Sequence, residues 1–228
     1  MAQHLDLEEQ EQLAELKHFW SRYGDLISWT LIAVLLAFAS WNGYNYWQRS
    51  QATQASALFD EVERSATAGD LPRLERAWAD MQDKFGSTTY AQQAGLLAAK
   101  TLYAKDKLDA AKAALTRVAD KSADEGYSAV ARLRLVAVLV QQKAYDEALK
   151  QLSMSWPKSF EPLAQDRRGD IFALQGKKAE AIAEYQKAYQ AFNEQMEYRR
   201  LVEVKLTALG ADPAATKQAD ATSTGATK

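Results

Sequence analysis

The chain contains no cysteine. Disulfides, thiol nucleophiles and thiolate zinc sites are therefore excluded. It has two histidines, His4 and His18, so no residue after position 18 can supply an imidazole as general base or metal ligand. An excess of either charge is missing too. The 28 basic residues stand against 30 acidic ones, a formal net charge of −2, which argues against a nucleic-acid partner held through phosphates. A phosphate-cradling glycine loop, a metal-ligand cluster and a nucleophile elbow are absent as motifs. No catalytic residue, metal or cofactor is expected, and the chain reads as a non-enzyme. Proline is scarce at 4 and glycine at 10 in 228 residues, so helix breakers are few. The composition is nonetheless globular, with 47% hydrophobic residues.

What is present first is a run without formal charge, Leu26 to Gln48. As a helix its 23 residues reach roughly 34 Å, enough for a hydrocarbon layer of ~30 Å. Trp20, Tyr23 and Trp29 mark one rim, and Trp41, Tyr44, Tyr46 and Trp47 the other, as in the aromatic belts of a spanning helix. A buried core helix seldom stays uncharged this long. A cleaved leader is the other alternative, since Ala37-Phe38-Ala39 before Ser40 has the form of a signal-peptidase site. Yet the 25 preceding residues carry six acids against Lys17 and Arg22, whereas a signal peptide has a short positive start. The pattern predicts an uncleaved single-pass anchor in the lipid bilayer. Lys17 and Arg22 against Arg49 give a two-to-one bias toward an N-terminus inside.

From Ser50 onward helical periodicity recurs between short breaks, without alternating strand patterns. The clearest unit spans Gln165 to Asn193, with Gly169, Phe172, Gly176, Ala181, Tyr185 and Ala188 spaced by 3, 4, 5, 4 and 3. This resembles the tetratricopeptide signature of small residue, aromatic, glycine, alanine, aromatic, alanine. Stepping back, Ala148, Ala111 and Ala77 repeat the small position at intervals of 33, 37 and 34. A non-repeating bundle is the alternative. Asn193 is placed to cap a last helix with Met196, Tyr198, Leu201, Val202, Leu206 and Leu209 as its apolar stripe. The expected fold is all-α: one N-terminal transmembrane helix followed by a tetratricopeptide-like helical-hairpin repeat domain. Its expected parts are an amphipathic tail (1–25), a span (26–48), the repeats with a capping helix (49–209) and a disordered tail (210–228).

Stacked hairpins use their first helices to line a concave groove. By phase with the signature, the groove-facing positions are Phe59, Val62, Leu96, Lys100, Tyr103, Val130, Leu133, Val140, Leu163, Asp166 and Asp170. Leu96 and Leu133 stand where a carboxylate clamp needs cations, so an apolar segment is the expected ligand. The same stripe can equally be core. Asp166 and Asp170, four apart, are read as a solvated face beside Arg167 and Arg168 rather than an acid–base pair. Residues 49–228 hold 26 basic and 24 acidic side chains, too balanced to steer a charged partner. A second candidate contact is the acidic amphipathic stretch with Leu13, Leu16, Phe19, Trp20 and Tyr23. It suits the bilayer interface or the flank of a membrane partner.

The stretch Glu11-Gln-Leu-Ala-Glu-Leu-Lys-His-Phe-Trp-Ser-Arg-Tyr-Gly24 running into the span, Ala129 to Gln141, and Asp166-Arg-Arg-Gly-Asp170 leading to Gly176 together resemble the ancillary SecYEG translocon subunit family. The resemblance covers roughly residues 8–209. It implies a Gram-negative inner-membrane protein with its N-terminus cytoplasmic and its C-terminal domain periplasmic. It also implies association with the SecYEG translocon and with a membrane-anchored periplasmic chaperone of the peptidyl-prolyl isomerase type, assisting newly exported proteins. The family offers no catalytic residues to carry over. The alternative is a tethered scaffold for envelope assembly or cell-division machinery, a role that tetratricopeptide domains also serve.

Overall fold

The computed structural model describes residues 7–213, with side chains from residue 13 onward. From residue 214, the expected disordered tail lies outside the described residues. Among these residues there are nine α-helices and no strands. They are α1 (Leu7–Ala68), α2 (Leu71–Phe85), α3 (Thr89–Ala104), α4 (Leu108–Lys121), α5 (Glu125–Gln141), α6 (Tyr145–Leu152), α7 (Glu161–Leu174), α8 (Lys178–Ala191) and α9 (Glu197–Ala208). The chain divides into two compact units, residues 1–53 and 54–228.

The first unit is the helix α1 up to Thr53. By length and composition α1 alone among the described helices can cross a membrane. Leu26, Trp29, Leu31, Leu35, Leu36 and Phe38 are all exposed, so this is no core helix. Thr30 and Asn42 turn their side chains back to the carbonyls of Leu26 and Phe38, which satisfies those polar groups within the helix itself.

In the second unit the end of α1 and helices α2 to α8 form successive hairpins, followed by α9. The turns inside the four hairpins, and the end of α9, share one geometry. Gly69, Asp106, Lys143, Gly176 and Gly210 all have positive φ, between 57° and 75°. At each, the next residue's N–H bonds back across the helix end: Asp70 to Ser65, Lys107 to Leu102, Ala144 to Leu139, Lys177 to Phe172 and Ala211 to Leu206. This is the Schellman ending, which satisfies orphan carbonyls and reverses the chain. The turns recur at intervals of 37, 37, 33 and 34 residues.

Five residues after the first four turns stand Leu74, Ala111, Ala148 and Ala181, each fully buried. The first hairpin therefore aligns on Leu74. Ala77, which the 34-residue spacing selects, is buried one turn further along α2. The turn, not the alanine, sets the register.

Local starts are also encoded. Asp70, Thr88 and Asp124 accept from the N–H groups of Arg73, Ala91 and Tyr127, capping α2, α3 and α5. Pro72 and Pro162 lie in first turns, where a missing N–H costs nothing. Asn193 does not cap α9. Its side chain bonds Gln195 N–H in the preceding turn, and α9 begins after Met196.

Two glycines permit close helix contacts. A Cβ on Gly95 would lie 2.4 Å from Val118 and 2.5 Å from Trp78, and one on Gly169 would lie 2.5 Å from the Tyr185 ring. Three apolar clusters fill the stack, centred on Leu74–Met81–Leu102, on Leu115–Leu135–Leu139–Ile171, and on Tyr185–Val202–Leu206. Each buried leucine or isoleucine contributes about 1.5–3 kcal/mol. Polar side chains join neighbouring repeats at one-repeat spacing: Gln93–Tyr127, Arg117–Gln82, Lys112–Glu147 and Gln142–Asp109.

Candidate functional site: the groove between α3 and α5

Counting back from the left-handed turns places each groove candidate. Six residues before the turn stand Lys100, Ala137 and Asp170, and nine before stand Leu97, Arg134 and Arg167. Ten before stand Leu96, Leu133 and Asp166. The last set faces inward: Leu96 and Asp166 are buried and Leu133 is half-buried.

A cavity of about 350 Å³ opens between α3 and α5 over α4, lined by Ala99, Lys100, Tyr103, Leu115, Arg134, Ala137 and Val138. Of the sequence candidates, Lys100 and Tyr103 line it. Tyr103 is 41% exposed, and its hydroxyl pairs with the Gln141 side chain. Arg134 and Ala137 line it as well and were not among those candidates. Ala137 and Arg134 stand one repeat after Lys100 and Leu97, by the turns and by the Ala111–Ala148 spacing alike. The floor, Ala99, Leu115 and Val138, is apolar, and Lys100 and Arg134 stand exposed on its sides. Such a site can take an aliphatic or aromatic side chain while drawing a nearby carboxylate to its walls.

The remaining candidates lie elsewhere. Val62 is fully buried, because it faces the first core cluster. Phe59 is half-buried with its ring 5.9 Å from Tyr90. Val130 and Val140 lie against the middle cluster and Leu163 against the last. Asp166 and Asp170 are not a solvated face. Asp166 is fully buried and accepts from the Tyr198 hydroxyl at 2.8 Å and from Lys205 Nζ at 2.7 Å. Asp170 accepts from Tyr185 at 2.8 Å, Lys205 at 2.6 Å and Arg167 at 3.0 Å. The reason is α9, which brings Tyr198 and Lys205 over this face of α7. Burial, then the hydrogen bond to Asp170, pushes the Tyr185 phenol well above its ordinary range. Burial and Asp166 do the same for Tyr198. These contacts hold α9 in place and engage both carboxylates.

The family model described as a tetratricopeptide repeat-like domain matches residues 17–211. A protein of Neisseria gonorrhoeae named ancillary SecYEG translocon subunit is 32% identical over 213 residues, covering 92% of this chain and 100% of the relative. The chain belongs to the ancillary SecYEG translocon subunit family. Relatives bearing the same name in Haemophilus influenzae and Escherichia coli are 30% and 28% identical, over 81% and 75% of this chain and 90% and 82% of their own. In this member of the family, the tetratricopeptide-like hairpins carry an apolar-floored groove with cationic walls, and one helix is fit to cross a membrane.

Membrane-side candidates Leu13, Leu16, Phe19, Trp20 and Tyr23 are all exposed. The Phe19 and Tyr23 ring centroids lie 5.1 Å apart with the planes tilted by 43°, and the Trp20 indole lies over Gly24. All five belong to α1 itself and not to a separate surface helix.

Proposed function

We propose that this chain is a membrane-anchored interaction subunit of the SecYEG translocon. In this reading α1 crosses the inner membrane with its N-terminus in the cytoplasm. The repeats then lie in the periplasm, where proteins leave the channel. The groove walled by Lys100 and Arg134 holds an apolar segment with a neighbouring acid. Its source is a membrane-anchored periplasmic chaperone of the peptidyl-prolyl isomerase type or a newly exported chain.

One observation carries the reading. Relatives named for the translocon align with nearly the whole chain, so span and repeats are matched together rather than the widespread repeat alone. The bias of Lys17 and Arg22 over Arg49 supports the orientation.

The test is co-purification from native membranes in mild detergent, read by mass spectrometry. Recovery of the SecYEG subunits with the chain is expected, and recovery without any of them overturns the proposal. Protease added to spheroplasts should cut residues 60–210. Protection of that region overturns the orientation.

A further inference from the structure

The tail of α1 cannot lie along the membrane surface while the next segment crosses it. That arrangement needs a sharp bend, and helices bend sharply where the backbone ladder is interrupted. α1 is unbroken from Leu7 to beyond Thr53, with no proline and no left-handed residue in that stretch. Gly24, the glycine nearest the boundary, is helical and lies beneath the Trp20 indole. If α1 spans, residues 7–25 continue its axis through the interface and on into water, over about 28 Å.

That tail exposes an apolar seam. Leu13 is 52% exposed, Leu16 66%, Trp20 60% and Tyr23 43%. Their spacing of 3, 4 and 3 is the a/d spacing of a coiled coil. The same alternation continues through Ile27, Thr30, Val34, Ala37 and Trp41 in the span. A helix packed on the tail therefore meets the span as well, so it belongs to another membrane protein.

Charge selects its kind. Residues 1–25 carry Asp6, Glu8, Glu9, Glu11, Glu15 and Asp25 against Lys17 and Arg22. A second copy would set two such acidic tails side by side, within the ~8–10 Å over which charges act at moderate salt. A helix bearing lysine or arginine is attracted instead.

We propose that the Leu13–Leu16–Trp20–Tyr23 seam pairs with a basic helix that runs out of the bilayer from a neighbouring membrane protein. The proposal rests on α1 being a span and not on which complex the chain joins.

The chain is free of cysteine, so Ser21→Cys gives a single labelling site beside the seam. The labelled full chain is placed in nanodiscs of neutral phosphatidylcholine. The probe is a 28-residue peptide with leucine at a and d and lysine at e and g. A control peptide has glutamate at e and g, and empty nanodiscs give the background. Saturable binding at least tenfold tighter for the lysine peptide is expected. Leu16→Ala with Trp20→Ala, which preserves helix propensity, should weaken it at least tenfold. Equal affinity for both peptides, or binding unchanged in the variant, overturns the proposal. So does a disulfide-linked dimer of Leu16→Cys, which assigns the seam to a second copy. Quenching of the label by headgroup spin labels without peptide also overturns it, by placing the tail on the bilayer. The peptide comparison needs no seam variant and no translocon subunit, so its result is independent of the co-purification.

Discussion

Lys205 Nζ lies 2.7 Å from Asp166 Oδ1, tying α9 to a carboxylate that is fully buried on α7. Removing the cation alone leaves that carboxylate buried without its counter-charge. Lys205→Met should destabilise the repeat unit by about 3–5 kcal/mol, as broken buried pairs do. Asp166→Asn combined with Lys205→Met should recover part of the loss. Thermal melts of the detergent-solubilised chain check both. A loss no greater than that of a surface substitution would remove the pair's assigned role.

Gly169 and Gly95 are packing positions. Gly169→Ala places a methyl 2.5 Å from the Tyr185 ring, and Gly95→Ala one 2.4 Å from Val118. Each should cost about 1–3 kcal/mol through overpacking. Gly43→Ala, also inside a helix, meets nothing within 4 Å and serves as the comparison without overpacking.

Asp106 and Lys143 adopt the left-handed turn that glycine fills at Gly69, Gly176 and Gly210. A side chain there costs about 1–2 kcal/mol, partly offset because glycine is freer when unfolded. Lys143→Gly should therefore raise the melting temperature, and Gly176→Lys should lower it. Opposite signs would remove the turn as the source of register.

The groove separates cleanly from the core by mutation. Lys100→Glu with Arg134→Glu changes exposed side chains, so stability should move by no more than about 0.5 kcal/mol per site. Co-purified partner bearing an acidic–apolar segment should be lost. Leu96→Glu buries a charge in the middle cluster and should unfold the repeats. A folded Leu96→Glu chain would move Leu96 back to the groove.

Alkaline pH should weaken the repeat unit from about its ordinary tyrosine range upward. Tyr185 and Tyr198 have raised pKa values when folded, against 10.0 ordinarily. Above about pH 10 the unfolded chain loses these protons first, so it binds fewer protons than the folded one and stability falls with pH. Below that range both forms are protonated and the contribution is fully present. Tyr198→Phe should flatten the decline between pH 10 and higher values in urea titrations followed by circular dichroism, because one of the two shifted protons is gone.

Much of this architecture was legible in the residues. Twenty-three uncharged positions with aromatics at both rims specify a helix that suits a bilayer, because that requirement is set by length and composition. Gly169, Gly176, Ala181 and Tyr185 specify a tetratricopeptide-like hairpin, because close helix approach demands small residues at fixed offsets. The register of the first hairpin was not legible, since Leu74 and Ala77 both suit a buried face of α2. Only the turn at Gly69 chooses between them.

The groove shows the same division. Periodicity restricts a concave face to a few neighbouring phases of each first helix, but adjacent phases differ by only 100° of helix rotation. Packing of α3 and α5 on α4 turns Leu96 inward and leaves Lys100, Tyr103, Arg134 and Ala137 around the cavity. Asp166 and Asp170 read as solvated because nothing in their own helix pairs them fully. Their partners Tyr198 and Lys205 stand 32 to 39 residues further along. Composition and local pattern thus determined that this protein is an anchored stack of hairpins. Which side chains line the groove, and which face each other, was decided by contacts between helices, many of them a repeat apart, a distance that local sequence pattern does not encode.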